Sequence, residues 1–154
     1  MLSKQLLNLS LFLLTLSGFS QTEILFHSST IPHDLLSNAN AVIRLDKTIT
    51  TIADYDDVSI QIKRIVTVFN ENGITKAGTV VYYDSHKGIK QLEAKAYNSS
   101  GEEIKKFRKN DFEDESAVDG GTLYSDSRVK YLRYTPTSYP CAVLLLKMQI
   151  RLKK

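Results

Sequence analysis

Between Ala41 and Phe107 the chain is interrupted at intervals of roughly ten residues by clusters of Asn, Asp and Gly, and the segments between them are β-branched or alternating. The interruptions are Asp54-Tyr55-Asp56-Asp57, Asn70-Glu71-Asn72-Gly73, Asp84 to Gly88 and Asn98-Ser99-Ser100-Gly101. Asn and Gly tolerate the positive φ that tight connections require. Short strands joined by short turns become antiparallel neighbours, and no long amphipathic pattern competes with them. The spacing therefore predicts a mainly β chain, an antiparallel two-layer β-sandwich.

The segments differ in what they bury. Ala41 to Ile52 (AVIRLDKTITTI) and Val58 to Phe69 (VSIQIKRIVTVF) are expected to form a hairpin. In the second, Val58, Ile60 and Ile62 keep period two, but the apolar set changes phase at Arg64-Ile65, which predicts a β-bulge there. Ile74 to Tyr83 is expected to resume as a strand. Lys90 to Tyr97 has the cleanest alternation, with Leu92, Ala94 and Ala96 on one side, and Glu102 to Phe107 is expected to pair back with Ile104 as its apolar contact. Lys109 to Ser116 (KNDFEDES) reads as a polar loop or helical turn pinned by Phe112. Ala117 to Thr122 reads as flexible, and Leu123 to Tyr134 as extended. Pro136 and Pro140 bracket a stretch through which no central strand should pass.

The final run, CAVLLLKMQIRLKK, can form a strand, but LLLK breaks alternation. Its outward leucines would give an apolar edge of the kind a finished sandwich covers. The sandwich domain, 41–154, is accordingly expected to be incomplete at its C-terminus, as if cut or rewritten after Pro140.

The first twenty residues are set apart. Lys4 precedes the apolar stretch LSLFLLTL (Leu9 to Leu16), and Gly18 and Ser20 have the small-residue spacing that signal peptidase reads. The apolar run is shorter than the ~20 residues that span a bilayer. Residues 1–20 are expected to be a helical signal peptide cut before Gln21, and 21–40 a lead-in. The mature chain is then periplasmic or extracellular, with no membrane span.

Chemistry-bearing residues are sparse. Cys141 is the only cysteine in the 154 residues, so no internal disulfide forms, and a lone cysteine is more often a small buried apolar side chain than a nucleophile. His27, His33 and His86 all precede it, and none has zinc-ligand spacing with another ligand. The clusters Asp54/Asp56/Asp57 and Asp111/Glu113/Asp114/Glu115 lack the Gly and terminal Glu of a calcium loop. No G-x-S-x-G or glycine-rich phosphate loop occurs. No catalytic residue, metal or cofactor is expected. The net charge of +3 conceals seven basic residues and no acid between Ser127 and Lys154. Tyrosines interleave with these cations, yet export argues against nucleic acid, and a solvated strand face has the same composition.

One resemblance bears on the whole. VSIQIKRIVTVFNENG, then TVVYYDSHKGIKQLEAKAYNSSGEEIKKFRKNDFEDES, then SDSRVKYLRYTPTSYP resembles the N-terminal domain of unknown function, numbered 3857, that precedes a transglutaminase-like domain in exported bacterial proteins. The carrying features are Arg64 near the centre of a strand, Tyr82-Tyr83, the pattern from Leu92 to Ile104, and Asp111-Phe112 before an acidic loop. The resemblance implies a β-sandwich ahead of a Cys-His-Asp domain, with no established activity of its own. Here the chain departs from that pattern after Tyr139-Pro140, so no catalytic residue carries over.

These readings point to a non-enzymatic accessory or interaction module whose partner is a transglutaminase-like catalytic domain. A different class, a stand-alone carbohydrate- or peptide-binding module of the cell envelope, requires Tyr82, Tyr131 and Tyr134 exposed on one face.

Overall fold

The computed structural model describes residues 24–78, 80–117 and 126–151. The signal peptide expected over 1–20 and most of the Ala117 to Thr122 stretch lie outside them. Among the described residues eight strands follow in order: β1 (Ala41–Asp54), β2 (Asp57–Val68), β3 (Val80–Tyr83), β4 (Lys87–Tyr97), β5 (Glu103–Arg108), β6 (Glu113–Ser116), β7 (Arg128–Tyr131) and β8 (Cys141–Arg151). They form two antiparallel sheets, one of five strands in the order β1-β2-β8-β4-β5 and one of three in the order β3-β7-β6. The chain is mainly β, as its punctuation predicts.

The closing run is not an edge. β8 is the central strand, paired along its length with β2 on one side and β4 on the other. Cross-strand partners share a face, so the register assigns each side chain a direction. Cys141, Val143 and Leu145 point inward, toward the three-stranded sheet. There Cys141 and Val143 pack with Val66, Val68 and Ala77, while Leu145 packs with Leu92, Ala94, Phe107, Val81, Phe112 and Leu132. Ala142 and Leu144 point outward and are covered as well, packing with Ile65, Tyr97 and Phe26. A strand buried on both faces has no reason to alternate. That accounts for the run of leucines and corrects the apolar-edge reading.

The same cause explains the phase change in β2. Ile65, Val66, Thr67 and Val68 are all buried, because this end of the sheet is covered on both sides. The β2–β8 register runs unbroken from Ser59 to Val68, so no bulge sits at Arg64-Ile65. The irregularity lies on the partner strand, between Ile43 and Leu45, leaving Arg44 as the extra residue. A bulge redirects its side chain. Arg44 donates to the His27 carbonyl (3.1 Å) and the Thr30 hydroxyl (2.7 Å), clamping the lead-in segment.

Other expectations shift in detail. Glu71–Ala77 is a 3-10 turn, so the strand expected from Ile74 is reduced to β3. Gly73 in that turn passes so close to Asn40 that a Cβ there would collide with the carbonyl oxygen. Ile104 is half exposed, and Phe107, opposite Ala94, supplies the buried contact of β5. Phe112 is buried as expected, but the acids after it form a strand. Gln149, buried and polar, donates to the Tyr82 carbonyl at 2.6 Å and ties the two sheets together.

Candidate functional site between the two sheets

Glu113-Asp114-Glu115-Ser116 is poor strand material, because acids are depleted in sheets. It becomes β6 by pairing with β7, whose register sets Asp114 opposite Lys130 and Ser116 opposite Arg128. Opposite charges facing each other across an antiparallel pair stabilise it. Alternation then sends Asp114, Lys130, Arg128 and Tyr83 toward the five-stranded sheet, and Glu113, Glu115, Tyr131 and Tyr82 away from it.

The inward set forms one network. The Tyr83 hydroxyl donates to the Asp114 carboxylate, 2.8 and 2.7 Å from its two oxygens, and itself accepts from Arg128 Nε at 3.0 Å. Arg128 also reaches Asp114 Oδ1, through Nε and a terminal nitrogen, each at 3.0 Å, and Lys130 Nζ lies 3.0 Å from Oδ2. The Tyr83 hydroxyl first, then Lys130 and Arg128, hold the Asp114 carboxyl down at about 2. Every donor here stabilises the ionised form.

This network borders a cleft of about 640 Å³ between the sheets. Tyr83, Asp114 and Lys130 line one side; Ile89 and Lys90 of β4 and Lys109, just past β5, line the other. Lys109 Nζ donates to the Ile89 carbonyl at 2.7 Å. Asp84, also at the cleft, accepts from the backbone N–H groups of His86 and Lys87 at 2.7 Å each, closing the β3–β4 turn. The cleft's size is that of a small-molecule site.

The three tyrosines singled out from sequence do not stay together. Tyr82 (63% exposed) and Tyr131 share the outward face of the three-stranded sheet with Val80. The Tyr131 hydroxyl donates to Glu113 and Glu115 and accepts from Arg133, and the hydrogen bond to Glu115 is the first cause of its raised pKa. Tyr134 turns inward and meets Phe107 edge-on with ring centroids 5.2 Å apart. Cys141 is 1% exposed within the core, and burial pushes its thiol up to about 11. His27 bridges to Ser100 beside the Asn98 turn, and no group of three His, Cys, Asp or Glu able to hold a metal occurs among the described residues.

Sequence reasoning passed over the cleft. A signal was present: EDES carries acids where the downstream RVKY carries cations, which is the pattern of two strands that pair antiparallel.

The sequence pattern of DUF3857, a domain of unknown function with a solved structure, matches residues 56–145. The chain belongs to this family. The matched span holds every residue named around the cleft. No curated protein matches the chain. Among solved structures, it is similar to a crystal structure at 2.00 Å from Parabacteroides distasonis ATCC 8503, named a "putative protease". The TM-score is 0.62 at 12% identity, over 75% of this chain and 24% of that one. At that identity the likeness is one of fold. The DUF3857 chain spans about a quarter of the length of that solved structure.

Proposed function

We propose that this DUF3857 chain is an exported, non-enzymatic accessory module that packs on a transglutaminase-like catalytic domain. One observation carries the reading: the same fold recurs as 24% of a much longer chain. A sandwich of this size beside a larger body is placed to support or present it. Two further features favour it. The thiol of Cys141 is held protonated in an apolar core, unlike a nucleophile. The Lys4 and Leu9–Leu16 pattern favours export.

The test reads the coding DNA downstream of the Lys154 codon in all three frames. A Cys-His-Asp domain in one of them supports the proposal, and unrelated sequence removes it. Mass spectrometry of the envelope fraction checks the export arm, with Gln21 expected as the mature N-terminus.

A second reading, a peptide- or glycan-binding module of the envelope, is narrowed to Tyr82 and Tyr131, which share the outward face of the three-stranded sheet. Tyr134 has no part in that face. Loss of envelope-glycan or peptide binding in Tyr82→Ala would support it, and unchanged binding would reject it.

A further inference from the structure

We propose that the cleft between the two sheets binds a small carboxylate-bearing ligand, held by the ammonium groups of Lys90 and Lys109. The proposal concerns this domain alone and depends on neither reading above. Among the described residues three lysines reach the cleft, Lys90, Lys109 and Lys130, against two carboxylates, Asp84 and Asp114. Both carboxylates are already taken. Asp84 Oδ1 accepts two backbone N–H groups of its own turn. Asp114 faces two cations of its own, Arg128 and Lys130, besides the Tyr83 hydroxyl.

Lys109 is anchored to a neutral acceptor, the Ile89 carbonyl. That bond fixes the ammonium at the cleft without neutralising it and leaves its other N–H groups to donate. Among the described residues, neither Lys90 nor Lys109 takes part in an ion pair. Asp84 keeps its charge, but the three ammonium groups outnumber the two carboxylates, and a concave site of net positive charge concentrates anions.

The rest of the lining sets the ligand class. Ile89 and the Tyr83 ring give apolar wall, and Gly88 presents no side chain. Phosphate sites commonly use guanidinium forks or backbone cradles. Among the described residues no arginine lines the cleft, and Arg128, bonded to its lining, is committed to Asp114 and Tyr83. Two point-charge ammonium groups beside an apolar wall suit a carboxylate on a short carbon stem.

The test titrates the full ¹⁵N-labelled chain with glutarate at constant ionic strength. Saturable shifts are expected at the amides of Gly88, Ile89, Lys90 and Lys109. Affinity should fall about tenfold in Lys90→Gln and again in Lys109→Gln. Lys90 is exposed, so its substitution leaves the fold intact, and Lys90→Arg should restore binding. Lys47→Gln, on exposed β1, should change nothing. Shifts that sodium chloride reproduces, or that survive both substitutions, overturn the site. Inorganic phosphate binding as tightly as glutarate overturns the carboxylate assignment.

Discussion

The ring of Phe26 lies nearly flat on that of Tyr97, with centroids 3.9 Å apart and planes 14° from parallel. A residue of the lead-in thereby covers the outward side of the sheet's central strands, next to Ile65, Ala142 and Leu144. The lead-in is part of the core. Phe26→Ala should cost about 3 kcal/mol or more, the usual range for a buried aromatic. Urea unfolding would measure it, and a cost under about 0.5 kcal/mol, typical of a surface change, would show that the segment merely lies on the surface.

The central position of β8 makes a paired prediction. Leu144 and Leu145 point to opposite faces, and both are buried. Leu144→Ala and Leu145→Ala should each destabilise by about 2–4 kcal/mol. An edge strand with outward leucines would instead show a large cost for Leu145 alone.

Asp114 should leave a signature in acid. Its folded pKa of about 2 lies below the ordinary 3.8, so its contribution to stability is complete above pH 4 and is lost as the pH falls from there toward 2. Removing the largest cause, in Tyr83→Phe, should raise the Asp114 pKa in an NMR titration and narrow that acid-sensitive window. An unchanged pKa would mean that Lys130 and Arg128 suffice.

Cys141 should be silent toward thiol reagents in the folded protein. Its pKa of about 11 leaves little thiolate near neutrality, and Val66, Val68 and Val143 exclude the reagent. Ellman's reagent at pH 8 should react only as fast as the chain unfolds, with full reactivity in denaturant. Rapid modification of the native chain would contradict the buried placement.

The 3-10 turn after β2 gives a backbone test. A methyl at Gly73 would collide with the Asn40 carbonyl, which also accepts from the Phe69 N–H at 2.9 Å. Gly73→Ala should therefore cost about 1–3 kcal/mol, as overpacking does, measured as a lowered urea midpoint at constant m-value.

Local information in the chain determined the fold class and most turns. Asn, Asp and Gly at regular intervals set strand lengths, and the alternation of Leu92, Ala94 and Ala96 named one buried face correctly. What local information could not supply was which strands lie in the middle. Strand order depends on long-range pairing, and a run such as Leu144-Leu145-Leu146 reads the same at an edge as in a doubly covered centre. The phase change at Arg64-Ile65 was legible for the same reason but ambiguous, since a bulge and two-sided burial produce one pattern. The candidate site was hidden further still. Lys90 and Lys109 come from the five-stranded sheet and its margin, Lys130 and Asp114 from the other sheet, and they meet only because two sheets stack. The sequence by itself determined the fold class, most strands and most turns. Tertiary packing alone decided where charge converges, because electrostatics depends on distance through space and not along the chain.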